Sequence, residues 1–365
     1  MEEKTMKALV YHAPHQFGLE DVPVPQIMAP DDAIIRVTLA TPCTSDIHIL
    51  EGHMPFVKGP ITLGHEFCGE IVELGAAIQG YEVGQKVHCL PGAFCNQCDM
   101  CKSGYSSFCE TGGCYGTVKG LNGALAEYIR IPHADQSMII IPDGLLEEDV
   151  LLLGDMLGTG YFGVTNGEVK KGDAVAVFGV GPVGMCACIL AKKVFEADPV
   201  IAVDLAQYRL DAVLKAGVAD YVINPNEEDA VKKIREITGR RGVNAAIETA
   251  GVQSTMTAAA KSLAIGGILS TIAIFAKPVE LPLHIMPNRN NQLRTGIQQC
   301  AGMDVMLEEI KAGRINTRFM QTHRSPLNDI IHALDIFGGN KDGCIKYLIT
   351  PFERKEIIKK IKAKS

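Results

Sequence analysis

The chain has 365 residues, 47% of them hydrophobic and 21% charged, and a formal net charge of −7. That length allows two domains with cores of their own, and the acidic balance offers no broad positive field, which excludes nucleic acid as an expected partner. No apolar run approaches the ~20 residues needed to span a bilayer, and the opening MEEKTMKALVYH has no apolar signal core, so a cytoplasmic protein without a membrane partner is expected.

In chain order, residues 6–90 read as short β-branched segments broken by Gly and Pro, for example 33–38, 69–73 and 86–89. They predict an all-β, barrel-like part. A loop rich in Cys, Gly and Ser follows over 91–123, and strand signals resume at 126–131. From about 160 the texture changes. Apolar runs at 174–178, 200–203, 220–223, 245–248 and 268–274 alternate with helical patterns reaching Phe195 and over 207–216, 227–238 and 254–263. Strand–helix alternation at this spacing predicts a parallel, doubly wound sheet whose strands are covered on both faces. Beyond 298, helices are predicted over 304–312 and 327–337 and a strand over 343–349. The expected division is therefore a first domain over 1–159, a second over 160–298, and a segment over 299–365 that returns to the first. The end, 353–365, reads as a charged, solvated terminal helix.

Gly179, Val180, Gly181, Pro182, Val183 and Gly184 follow a predicted strand and open a predicted helix. In a dinucleotide site the first Gly makes the tight turn, the second lets backbone approach the pyrophosphate, and the third allows close helix–strand packing. The helix start adds free N–H groups and a positive dipole end. Asp204 follows Gly184 by 20 positions, at the end of the next strand. A carboxylate there accepts from a ribose 2′-OH and repels a 2′-phosphate. Residues 205–208 supply no cation, so NAD is expected rather than NADP.

Eight of the twelve cysteines lie between Cys43 and Cys114. A chain of this length without a secretory signal is a poor candidate for a disulfide scaffold, and clustered thiols then suggest metal. Cys95, Cys98, Cys101 and Cys109 are spaced Cys-x2-Cys-x2-Cys-x7-Cys. Four thiolates close a tetrahedron around Zn²⁺ and leave no open position, so this zinc would be structural. The bacterial iron–sulfur spacing has a shorter last gap followed by Pro, and this loop has neither. Three dispersed pieces hold further ligand types: Cys43 in Pro-Cys-Thr-Ser-Asp-Ile-His, His65-Glu66 after Leu-Gly, and Asp155 in Gly-Asp-Met-Leu-Gly-Thr-Gly. Each alone reads as a packed cysteine or a satisfied histidine, and spacing does not unite them.

The order of these pieces, with the four-Cys loop and the glycine turn, resembles the medium-chain zinc alcohol dehydrogenase family over essentially the whole chain. The segments around Cys43 and Asp155 look most like the microbial secondary alcohol dehydrogenases, although the best-known of those lack the four-Cys loop. The resemblance implies a GroES-like β-barrel catalytic domain, a Rossmann domain, and hydride transfer between NAD(H) and a secondary alcohol or its ketone. It implies that Cys43, His65 and Asp155 hold a catalytic zinc, with Glu66 as an optional ligand. Such an open site acts as a Lewis acid on the alcohol oxygen. Ser45 and His48 become a proton relay from alcohol to Ser45, nicotinamide ribose, His48 and water. Thr159 matches the threonine beside nicotinamide, and Arg209 the basic residue that reaches the adenosine ribose. A homotetramer, or failing that a homodimer, is implied as well. Polyol, butanediol, threonine, formaldehyde and hydroxysteroid dehydrogenases share this chemistry and stay open as alternatives, as does a zinc-free relative that binds nucleotide without catalysis.

Overall fold

The structure, a computed structural model, describes residues 4–352; the expected terminal helix over 353–365 lies outside the described residues. The chain divides into two compact units, one made of residues up to 155 together with those from 321 onward, the other of residues 156–320. These bounds differ from the division expected at 159/160 and 298/299. Residues 156–159 and 299–320 belong to the second unit, and the chain rejoins the first only at Gln321. The helix Met303–Lys311 explains the difference: it buries Met303, Met306 and Ile310, and Met303 Cε lies against Gly158 of the same unit. An amphipathic pattern announces that a helix has an apolar face, but not which core receives it.

In the first unit the main sheet runs in the order Met138–Ile140, Lys86–Cys89, Glu66–Leu74, Ala33–Thr41, Lys346–Thr350, Gln321–Pro326, with Tyr128–Ile131 also paired to Ala33–Thr41. All neighbours are antiparallel except the last pair, which is parallel because the helix Ile330–Gly338 carries the chain between its strands. Leu9, Ile35, Val37, Phe67, Ile71, Val87 and Leu125 fill its core. A smaller sheet joins Gln16–Pro23, Thr5–Ala13 and Ile61–Thr62. The strand predicted at 69–73 begins earlier, at Glu66, because Phe67 and Cys68 are fully buried and continue the ladder. That extension puts His65 and Glu66 at a strand entrance. The strand predicted from 126 begins at Tyr128, since Ala126 makes an isolated bridge to Ala8.

In the second unit six parallel strands lie in the order Tyr221–Ile223, Val200–Val203, Val175–Phe178, Val243–Glu248, Leu263–Thr271, Gln292–Thr295. Numbered within the unit this is 3-2-1-4-5-6, the doubly wound order of dinucleotide-binding sheets. Every residue of Val175–Phe178 and of Val200–Val203 is buried. The helix expected over 227–238 is Ala230–Ile237, started by Asp229, whose carboxylate accepts the Lys232 N–H at 2.9 Å. The strand expected over 268–274 is Leu263–Thr271; the glycines at 266 and 267, which precede the expected strand, lie inside it, Gly266 at φ +76°. Among the described residues no helix is long and apolar enough to cross a membrane.

Candidate metal and dinucleotide sites

Cys43 precedes the helix Thr44–Leu50, which opens immediately after the strand Ala33–Thr41. Asp46, three residues on, accepts the Cys43 N–H at 2.8 Å and the Gly64 N–H at 3.2 Å. One buried carboxylate therefore fixes the backbone beside Cys43 and beside His65. Asp155 arrives from a short π-helical turn, Leu153–Leu157. One ligand atom each of Cys43, His65, Glu66 and Asp155 lies within 4.8 Å of all the others. His65 Nε2 is 3.4 Å from Asp155 Oδ2, and Ser45 Oγ is 3.3 Å from the same nitrogen. The structure thus assembles what the sequence left dispersed.

The charges in this cluster are those of a cation site. Burial and the neighbouring Asp155 push the Cys43 thiol up. Burial also works against the anion of Asp155, but its hydrogen bond and charge interaction with His65 win and hold it below the ordinary carboxylate range. Burial opposes the charged form of His65 too, yet Cys114, Asp46 and Asp155 together lift it well above the usual imidazole range. A divalent ion would replace the proton on the Cys43 thiol and one of the two protons of charged His65, and would meet Asp155 already as an anion. Two buried atoms of this cluster have no hydrogen-bond partner among the described residues: His65 Nδ1, which stands 3.8 Å from Asp46 Oδ1, and Glu66 Oε2. The other Glu66 oxygen receives the Lys346 ammonium at 2.6 Å, and Lys346 also donates to the Pro42 carbonyl at 2.7 Å. Burial, partly offset by Lys346, raises Glu66 to about 7. Thiol, imidazole, carboxylate and an unpartnered second carboxylate oxygen are a donor set that fits zinc with an exchangeable position.

His48 sits in the last turn of the helix Thr44–Leu50. Partial burial and the neighbouring His53 lower its pKa, against the opposing pull of Glu51. Its neutral form therefore prevails at neutral pH. Asp46 and Lys346 escaped the sequence reading. Asp46 stands at the third helical position, where a carboxylate can reach back to the residue before the helix; Lys346 lies within an apolar strand and gives no signal.

In the loop, Cys95, Cys98, Cys101 and Cys109 place their sulfurs within 4.8 Å of one another. The Sγ atoms of Cys95 and Cys109 are 3.6 Å apart, close to the ~3.8 Å edge of a tetrahedron with zinc–sulfur bonds of about 2.3 Å. The backbone N–H groups of Gln97 and Cys98 donate to Cys95 Sγ at 3.4 and 3.3 Å. They bring that thiol down to about 6. Burial and the Cys98 thiol push Cys101 up to about 12. The four thiols fit a closed zinc site.

In the second unit, Gly179 has φ +85°, and a Cβ there would meet the Ala250 backbone nitrogen at 2.9 Å. A Cβ on Gly184 would lie 1.9 Å from the Gly179 carbonyl oxygen. A Cβ on Gly181 would have only Arg209 Nη1 near it, at 3.9 Å. Two glycines are thus required by the protein itself, while the middle one leaves an open cradle facing a guanidinium, which fits a pyrophosphate. Pro182 and Val183 follow it at the start of the helix Pro182–Lys193. Asp204 accepts the Val180 N–H at 2.6 Å and the Ala206 N–H at 2.8 Å, with Arg209 3.9 Å away. Thr159 lies on the helix Gly158–Asn166. Glu248, unforeseen from sequence, is buried at the end of the fourth strand. Its Oε1 accepts from the Ala250 and Gly251 N–H groups at 3.0 and 2.9 Å, holding the loop beside Gly179 at the point where strand order reverses.

Residues 29–143 match the family model of the alcohol dehydrogenase GroES-like domain, and residues 182–304 that of the zinc-binding dehydrogenases. An alcohol dehydrogenase of Cupriavidus necator is 36% identical over 95% of this chain and 99% of its own. A sorbitol dehydrogenase of Bacillus subtilis is 31% identical over 95% of this chain and 98% of its own. The solved structure of an alcohol dehydrogenase from Thermus sp. ATN1 superposes with a TM-score of 0.88 at 30% identity, covering 94% of this chain and 99% of that one. The chain belongs to the medium-chain zinc alcohol dehydrogenase family. It is an oxidoreductase of alcohols or polyols, built from a GroES-like domain and a Rossmann domain.

Proposed function

We propose that this enzyme moves a hydride between NAD(H) and a secondary alcohol or its ketone, with two zinc ions per chain. The observation that carries the reading is the convergence of Cys43, His65, Glu66 and Asp155 within 4.8 Å, with the Ser45 hydroxyl 3.3 Å from His65 Nε2. Cys43, His65 and Asp155 would hold the catalytic ion, Glu66 would be its optional ligand, and Cys95, Cys98, Cys101 and Cys109 would hold the structural one. When bound, zinc supplies a Lewis acid for the substrate oxygen and nicotinamide supplies the hydride acceptor or donor.

The chain's own groups do the rest. Ser45 Oγ both donates and accepts, so it can take the proton released by an alcohol beside His65. His48, neutral at neutral pH, accepts a proton and returns it to solvent. Asp46 orients His65 and anchors Cys43. Gly179, Gly181 and Gly184 shape the phosphate turn, with the Val180 backbone held by Asp204. Asp204 also places a negative charge that disfavours a 2′-phosphate, and Arg209 and Thr159 are proposed to contact the cofactor.

The test is Cys43→Ala. It should abolish turnover yet leave NADH binding intact by fluorescence titration; retained turnover would overturn the reading. With the unaltered enzyme, kcat/KM for NAD⁺ should exceed that for NADP⁺, and equal values would remove the cofactor assignment. The likeness to a sorbitol dehydrogenase favours a second reading, a polyol as substrate. Comparing 2-propanol, 2,3-butanediol and sorbitol under the same conditions separates the two.

A further inference from the structure

The helix Thr44–Leu50 ends in a backbone motif with a consequence for His48. Gly52, at φ +81°, donates its N–H to the Ile49 carbonyl at 3.0 Å, and His53 donates its N–H to the His48 carbonyl at 2.8 Å. This is the paired bonding of a Schellman cap, in which the residue after the glycine folds back over the last helical turn. A hydrophobic contact often occupies that position. Here two imidazoles meet: His48 Nδ1 and His53 Nδ1 are 3.3 Å apart, with ring centroids at 5.5 Å. Glu51, the capping residue, places Oε2 3.3 Å from His53 Nδ1. Ligand atoms of all three residues fall within 4.8 Å of one another. The side chains of His53 and Glu51 are about half exposed, so an ion in solution can reach them.

The Nδ1 atoms stand at hydrogen-bond distance, and the same spacing fits a transition-metal site. A tetrahedral ion with metal–nitrogen bonds of 2.0–2.1 Å holds its ligand atoms about 3.3–3.4 Å apart. Two imidazole nitrogens and one carboxylate oxygen are borderline ligands suited to Zn²⁺ and its neighbours. The cap fixes the backbone of all three, so little ordering remains to oppose binding. We propose that His48, Glu51 and His53 form a third, solvent-facing site for a divalent transition ion of the Zn²⁺ type, and that its occupation inhibits the enzyme.

Inhibition rests on the proton-handling role proposed for His48. A metal on Nδ1 leaves the other ring nitrogen as an N–H at neutral pH, able to donate but no longer to accept. His48 then cannot pass a proton on. Metal supply would thereby throttle the same enzyme that needs zinc to work.

The test titrates zinc-loaded enzyme with Zn²⁺ alone by calorimetry, in parallel with His53→Gln and Glu51→Gln. Both variants alter exposed side chains outside the proposed catalytic groups and should keep the basal rate. Wild type should bind one equivalent more than either variant; identical isotherms overturn the site. At saturation of that equivalent, alcohol oxidation by wild type should fall at least about tenfold, the low end of what general acid–base groups contribute, while the variants keep their rate. Binding of the extra equivalent without loss of rate overturns the inhibition and, with it, the role given to His48, but leaves the ligand assignment of the catalytic zinc standing.

Discussion

Asp46 is the residue on which the metal cluster turns, although it is not itself among the proposed ligands. Its two oxygens accept the Cys43 and Gly64 N–H groups and approach the otherwise unpartnered His65 Nδ1. A carboxylate behind a ligating imidazole fixes ring orientation and raises basicity, and losing it typically reduces metal affinity 10–100-fold. Asp46→Asn keeps the size and one acceptor but removes the charge. The expected outcome is catalytic zinc that leaves to a chelator about 10–100-fold more readily, with the loop zinc retained, as measured by metal release against chelator concentration. Unchanged release of both ions would show that Asp46 serves the backbone alone. Lys346 shows a different side of residue-scale reasoning. Its ammonium, fully buried on Glu66 and Pro42, is tolerable only because it is paired and hydrogen-bonded. A lone Lys within the apolar run of its strand announces nothing until the partner 280 positions away is placed beside it.

At the scale of elements, the sheet of the second unit was readable almost strand for strand, because fully buried parallel strands write themselves as unbroken apolar runs such as Val175–Phe178 and Val200–Val203. The first unit was readable only as β-rich. Its pairing joins Ala33–Thr41 to segments from 66, 128 and 346 onward, and no local pattern specifies such distant partners. The same limit applies to the candidate site. The four cysteines of the loop are close in sequence and declare themselves by spacing, whereas Cys43, His65 and Asp155 were joined only through a family resemblance. The glycine turn allows a test of how far element-level reading goes. A methyl on Gly184 meets backbone at 1.9 Å, whereas one on Gly181 meets nothing closer than a flexible guanidinium at 3.9 Å. Gly184→Ala should therefore destabilise the protein by about 1–3 kcal/mol or more in urea unfolding, as overpacking does. Gly181→Ala should leave the unfolding midpoint in place and raise KM for the nucleotide, because only the ligand needs that space. The opposite pattern would contradict the roles assigned to the two glycines.

For the whole molecule, the first unit carries the four-Cys cluster, the cluster of Cys43, His65, Glu66 and Asp155, and the groups proposed to handle the proton, and the second carries the glycine turn proposed for the nucleotide. The two proposed zinc ions would have different work there. The cluster proposed as catalytic is embedded among buried residues of a sheet that has a core of its own, with His65 and Glu66 at the head of a strand lined by Phe67 and Ile71. The segment between Cys95 and Cys109 instead exposes its large apolar side chains: Tyr105 and Phe108 are each more than half exposed, while the flanking Phe94, Tyr115 and Leu121 are buried. That segment has little core of its own, so the free energy of metal binding there would be folding free energy for it. Cys98→Ser and Cys43→Ala should each lower the zinc content from two ions to one per chain, yet part company in every other readout. Cys98→Ser should open the segment 95–109 to limited proteolysis and lower the melting temperature while kcat on the remaining folded enzyme changes less. Cys43→Ala should leave the proteolytic pattern and melting temperature near those of the unaltered protein and remove turnover. A Cys98→Ser protein that keeps two zinc ions, or one that resists proteolysis as well as the parent, would show that the loop holds its shape without the metal.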